Sequence, residues 1–76
     1  YNNRGTAHAS RGEHRAAISD YTKALDISPN YATALSNRGI SFEALGNMKK
    51  ACIDWKKAAD FGHKDSFQWH TSQCKN

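Results

Sequence analysis

The chain has 76 residues, of which 38% are hydrophobic and 24% charged, with a formal net charge of +4. That length suits one small domain with a modest core, and the composition excludes a disordered chain, which would carry fewer aromatic residues and more net charge. No apolar run approaches the roughly 20 residues of a membrane-spanning helix, and no signal-peptide pattern is present.

In chain order, the first element is a helix that carries Gly5 and His8 and ends near Gly12, where the chain must turn. Next, Ala17, Ile18, Tyr21, Ala24 and Leu25 form one apolar stripe at helical period. Ser28-Pro29-Asn30 follows: Pro29 stops that helix and Asn30 is expected to cap the next. Leu35, Gly39, Phe42 and Leu45 make a third stripe, ending at Gly46. Ala51, Cys52, Trp55, Ala58 and Ala59 make a fourth, with Cys52 at the core position of Ile18. After Phe61-Gly62, residues 65–74 form a terminal helix with Phe67 and Trp69 as apolar anchors and Gln68, His70, Thr71 and Gln73 on a polar outer side.

The halves are copies. A shift of 34 residues places Asn3-Arg4-Gly5 on Asn37-Arg38-Gly39, Gly12 on Gly46, Ala17 on Ala51, Asp20 on Asp54, Lys23-Ala24 on Lys57-Ala58 and Asp26 on Asp60. Aromatic Tyr21 falls on aromatic Trp55. The small residues let paired helices approach, and the large ones fill the space between neighbouring pairs. Such a pair cannot bury its own apolar face and must stack on another.

This period and order of residues resemble the tetratricopeptide repeat. Tyr1, Gly5, His8, Ala17, Tyr21, Ala24 and Pro29 carry the pattern in the first copy, and Leu35, Gly39, Phe42, Ala51, Trp55 and Ala58 in the second. The departures are His8 in place of an aromatic, Arg4 and Arg38 in place of Leu, and His63 in place of the second Pro. The resemblance implies an all-α fold, an α-solenoid of antiparallel helix pairs. Residues 1–29 are the first unit, residues 30–62 the second, and residues 63–76 a C-terminal capping helix and tail. Alignment with the second copy starts the first helix several residues before Tyr1. The chain also has no initiator Met and is expected to be cut from a longer protein. Fraying at residues 1–4 and self-association through the exposed repeat ends are further expectations.

No catalytic constellation, phosphate-binding loop or nucleophile elbow is present, so no enzyme activity and no cofactor are expected. Asp20 and Asp54 read as exposed helix-surface carboxylates doing one structural job twice. His8 reads as a packed imidazole and His14 as an exposed one. Three readings of the cysteines stay open. Cys52 is a small buried hydrophobe, or it bonds Cys74, or a metal is held by His70 and Cys74 joined by Cys52 or His63, although no zinc spacing is present. A Cys52–Cys74 bond would close a loop of about 22 residues and stabilise the fold by about 3 kcal/mol. The compartment follows the same alternatives: cytoplasm is slightly favoured, and an oxidising compartment applies if the two are bonded.

The resemblance also implies a concave groove lined by the first helix of each pair, where an extended peptide or partner helix lies. Its expected residues are Asn2, Asn3, Thr6, Ser10, Thr33, Ser36, Asn37, Ile40 and Ala44. Asn amides at Asn3 and Asn37 can grip a peptide backbone, or else bridge helices within the array. Some family members clamp a C-terminal carboxylate here. Asn37 matches that clamp, but Asn2, Thr6, Phe67 and Thr71 stand where its basic residues would be. The expected partner is therefore a protein or peptide, not a membrane. The alternative is a nucleic acid or acidic surface bound through the scattered Lys and Arg. Only Lys49-Lys50 and Lys56-Lys57 cluster, and a solvated face is favoured over a nucleic-acid patch.

Overall fold

The computed structural model describes residues 1–74, apart from the side chains of residues 71 and 72, and among them there are five helices and no strand. They are α1 (Asn2–Ser10), α2 (His14–Ile27), α3 (Ala32–Ala44), α4 (Met48–Asp60) and α5 (Lys64–Gln73). Each packs on its neighbour in sequence, and α1 also touches α3. Turns of three residues between α1 and α2 and between α3 and α4 force each pair to run antiparallel. The molecule is an all-α helical-repeat array. The expected tail, residues 75–76, lies outside the described residues.

These two turns use the same chemistry, and the three-residue turn between α4 and α5 repeats it, with Gly62 and His63 donating to Ala59 and Ala58 at 2.9 Å. Gly12 donates its N–H to the Ala9 carbonyl at 3.0 Å, and Glu13 donates to His8 at 2.9 Å. Gly46 and Asn47 repeat these bonds to Glu43 and Phe42, at 2.9 and 2.8 Å. This paired closure needs a left-handed residue, and Gly12 and Gly46 both adopt a φ of 80°. The turn between α2 and α3 is different. Tyr31 donates to the Ser28 carbonyl at 3.0 Å, with Pro29 and Asn30 inside the turn. Asn30 therefore sits one residue too early to cap α3, contrary to expectation, and Tyr31 holds the cap position without a side-chain bond. Side-chain caps occur further on: Asn47 Oδ1 accepts from the Lys50 N–H at 3.2 Å, and His63 Nδ1 from Ser66 at 3.1 Å. His63, at the missing Pro position, thus starts α5.

The core is built from the repeat-equivalent residues Ala17 and Ala51, Tyr21 and Trp55, and Ala24 and Ala58, with Leu25, Ala34 and Leu35. Tyr21 lies on Gly5 and Trp55 on Gly39. A Cβ on Gly5 would sit 2.7 Å from Tyr21 Cε1, and one on Gly39 would sit 2.5 Å from Trp55 Nε1. Both glycines are there so that an aromatic ring can rest on the helix backbone. Ala24, Leu25, Ala34, Leu35 and Ala58 then fuse the two pairs into one core.

Several apolar expectations need correction. Leu45 is exposed because it ends α3, and Ile18 and Cys52 are half-buried at the edge of the stripe. In α5 the residue against the array is Trp69, whose ring centroid is 5.6 Å from that of Trp55. Ser66, three residues earlier on the same face, is fully buried, whereas Phe67 is 63% exposed. α1 begins at Asn2 and has nine residues, against thirteen in its counterpart α3.

Candidate functional site

The expected surface carboxylates are buried. Asp20 and Asp54 each accept two hydrogen bonds from the arginine 16 positions earlier. Arg4 reaches Asp20 at 2.7 and 2.9 Å, and Arg38 reaches both oxygens of Asp54 at 2.8 Å. The arginines standing at the family's Leu position are thus one half of a charge pair whose other half also repeats. Arg38 makes a third bond, to Thr22 on α2 at 3.2 Å, and so ties the two helix pairs together. Arg4 lies instead beside the Tyr1 ring, 5.2 Å from its centroid.

The first pair carries a wider polar network. His8 Nδ1 is 2.7 Å from Glu13, and its Nε2 is 3.6 Å from Asp20. The hydrogen bond from Arg4 holds the Asp20 carboxyl below its ordinary range, against the opposing effect of burial. Glu13 is lowered by its bonds to His8 and Arg11, and Arg4 is raised by Asp20. At the place of His8 the second pair has Phe42, with the Arg38 guanidinium 5.9 Å from its ring centroid. His14 is half-buried rather than exposed, with Nδ1 3.4 Å from the hydroxyl of buried Ser41.

The residues expected in the groove do not all reach a surface. Asn3, Thr6, Ser10, Thr33, Ile40 and Ala44 are exposed, and Asn2 and Asn37 are half-buried. Ser36 is only 2% exposed: it falls inside the helix packing and offers nothing to a ligand. Asn37 donates to Asn2 Oδ1 at 3.4 Å, a long bond that bridges α3 to α1. Ser10 donates to the Ala7 carbonyl at 2.9 Å. Thr6 donates to the Asn2 carbonyl at 3.0 Å, so across the 3.2 Å contact with Tyr21 it is the phenol that donates. The side chain of Thr71 lies outside the described residues.

A coupled replacement separates the two units. Thr6 and Tyr21 of the first become Ile40 and Trp55 in the second. The hydroxyl pair disappears, and the buried Trp55 indole N–H has no acceptor among the described residues. In its place there is an open pocket of about 250 Å³ lined by Ile40, Glu43, Trp55, Trp69 and Gln73. Sequence reasoning placed only Ile40 in a groove. The pocket exists because α3, α4 and α5 converge, and no single helical stripe reports that.

Cys52 and Cys74 are bonded to each other, with Cα atoms 5.7 Å apart, and this links α4 to the end of α5. The bond lies in the lining of a second pocket, with Met48, Ile53 and His70. No helix among the described residues is long and apolar enough to cross a membrane.

Comparison with known proteins agrees with this geometry. The family described as TPR repeat matches residues 5–46, more than half of the chain. A heat-shock protein cognate (HSC) co-chaperone of Aspergillus fumigatus, sgt12, is 38% identical over 65 residues, 86% of this chain. The match covers 19% of that protein, so the chain spans about a fifth of its relative's length. No solved structure matches. The 34-residue period, the ringed glycines, the all-helical array and the family match agree: the chain belongs to the tetratricopeptide repeat family.

Proposed function

We propose that this chain is a non-catalytic protein-interaction module that holds an extended peptide or a partner helix along α1, α3 and α5. The observation that carries this reading is the surface on those three helices. It combines exposed polar groups at Asn3, Thr6 and Thr33 with the Ile40–Trp69 pocket. Polar groups of this kind suit a peptide backbone, and a pocket of this size accepts one apolar side chain. Membership of a family that serves as scaffolding, and a relative named as a co-chaperone, support protein as the partner class.

The ligand is not held by a terminal carboxylate. Asn37 supplies one member of the family's clamp, but Asn2, Thr6 and Phe67 are neutral where lysine or arginine would be needed. Glu43, in the pocket lining, adds negative charge. The groove therefore favours an internal segment with an apolar side chain over an acidic chain end.

An amide NMR titration with short extended peptides tests this. Each peptide carries one Leu or Phe and is supplied with both free and amidated C-termini. Saturable shifts at Thr6, Asn37, Ile40 and Trp69, equal for the two ends, are the expected result. Shifts that require the free carboxylate would restore the clamp, and none with any peptide would sink the groove reading.

A further inference from the structure

Away from the groove, the outward side of α4 concentrates positive charge. Lys49, Lys50, Lys56 and Lys57 are all exposed. Seven residues separate Lys49 from Lys56 and Lys50 from Lys57, two turns or about 10 Å along the helix. Arg4, Arg11 and Arg38 each pair with a carboxylate, but among the described residues none lies within ion-pair distance of these four lysines. Lys50 instead lies 5.5 Å from the centre of the Phe42 ring. Along α4 the remaining carboxylates are Asp54, held by Arg38, and Asp60 at the last residue.

Ile53 stands between the lysines and is 48% exposed. A pocket opens on each side of it. One, of about 420 Å³, has Met48, Cys52 and Cys74 in its wall and Lys49 and Lys56 at its rim. The other, of about 410 Å³, is lined by Ile18 and Phe42, by Thr22 and the paired Arg38 and Asp54, and by Lys50 and Lys57. Each hollow thus lies beside Ile53 with an ammonium group one turn above and one turn below, and the one against Met48 and the disulfide is the more apolar.

We propose that this face is a second protein-docking surface, and that its occupant is an acidic amphipathic helix of a partner. Carboxylates seven residues apart meet a lysine pair, and an apolar side chain between them enters the hollow against Ile53. Charge complementarity selects an acidic partner. Exposed Ile53 and the apolar hollow against Met48 and the disulfide select a peptide over a nucleic acid, whose backbone has nothing to bury there and whose bases need exposed aromatic platforms. This proposal is independent of the groove reading.

The probe is a helical peptide of about 16 residues, four turns, with Glu at positions seven apart and Leu and Phe between them. A scrambled peptide of identical composition is the control. Isotope-labelled protein should show saturable amide shifts over residues 48–57, 70 and 73–74. Affinity should fall about tenfold in K49E/K56E, a surface double variant whose fold circular dichroism checks, and stay unchanged in N37A. Three outcomes would overturn the proposal: equal binding of the scrambled peptide, shifts confined to α1 and α3, or a single-stranded oligonucleotide that displaces the peptide from these lysines.

Discussion

Arg38 and Asp54 join α3 to α4 through two parallel hydrogen bonds of 2.8 Å, and Arg4 and Asp20 make the same pair one unit earlier. The surroundings differ. The Arg38 side chain is 19% exposed and also bonds Thr22, whereas that of Arg4 is 58% exposed. Asp54→Ala would strand a largely buried guanidinium and should cost about 3 kcal/mol in urea unfolding. Asp20→Ala should cost clearly less, because Arg4 can turn to water. R38L/D54L, which puts the family's usual Leu on α3, should recover most of the Asp54→Ala loss. Equal losses at the two aspartates would show that Arg38 does not tie the units together.

Acid should weaken the fold through the first unit. Asp20 and Glu13 are held below their ordinary values of 3.8 and 4.5, Asp20 chiefly by Arg4 and Glu13 chiefly by His8. The unfolded chain therefore binds more protons than the folded one in this range. Stabilisation by these two groups is present above the unfolded values and is lost as pH falls through the lower folded ones. Thermal unfolding should show a midpoint that declines steadily from about pH 5 to pH 3. D20N should show a shallower decline, since Asp20 no longer titrates. Parallel curves for the two proteins would remove Asp20 from the account.

Gly39 should tolerate no side chain. A Cβ there would meet Trp55 Nε1 at 2.5 Å, so the buried ring would have to shift off the helix and give up its present packing. Gly39→Ala gains helix propensity but should still lose about 2 kcal/mol from overpacking. Pairing it with Trp55→Leu, which removes the ring, should make the alanine nearly neutral in that background. A stabilised Gly39→Ala would mean that the ring does not rest on the helix.

The repeat was legible because its signals are local: a 34-residue offset, glycines at turns, and small residues facing large ones. Asp20 and Asp54 were misread because a lone Asp on a helix is usually solvated. The correction was nevertheless in the sequence, since Arg4 and Arg38 recur at the same distance from them. Ser36 was misplaced because helix-face arithmetic does not say how deeply neighbouring helices cover one another. Phe67 drew attention by size, but it is Ser66 and Trp69, three apart, that share the buried face. The Ile40–Trp69 pocket needs three helices at once, so no window on the sequence reveals it.

The Cys52–Cys74 bond should be worth more to α5 than to the rest of the chain. Its 22-residue separation predicts about 3 kcal/mol from the entropy of the closed loop. Without it, α5 keeps the Trp69 contact with Trp55 and the cap at His63, but its far end loses the covalent tie to α4. C52S/C74S, or the chain under reductant, should therefore unfold at lower urea. Amide exchange should accelerate first over residues 64–74, before residues 17–58 respond. Because Trp69 and Gln73 line the pocket beside Ile40, the same change should weaken the peptide binding proposed for it. Uniformly faster exchange along the whole chain would instead mean that α5 and the two helix pairs open as one unit.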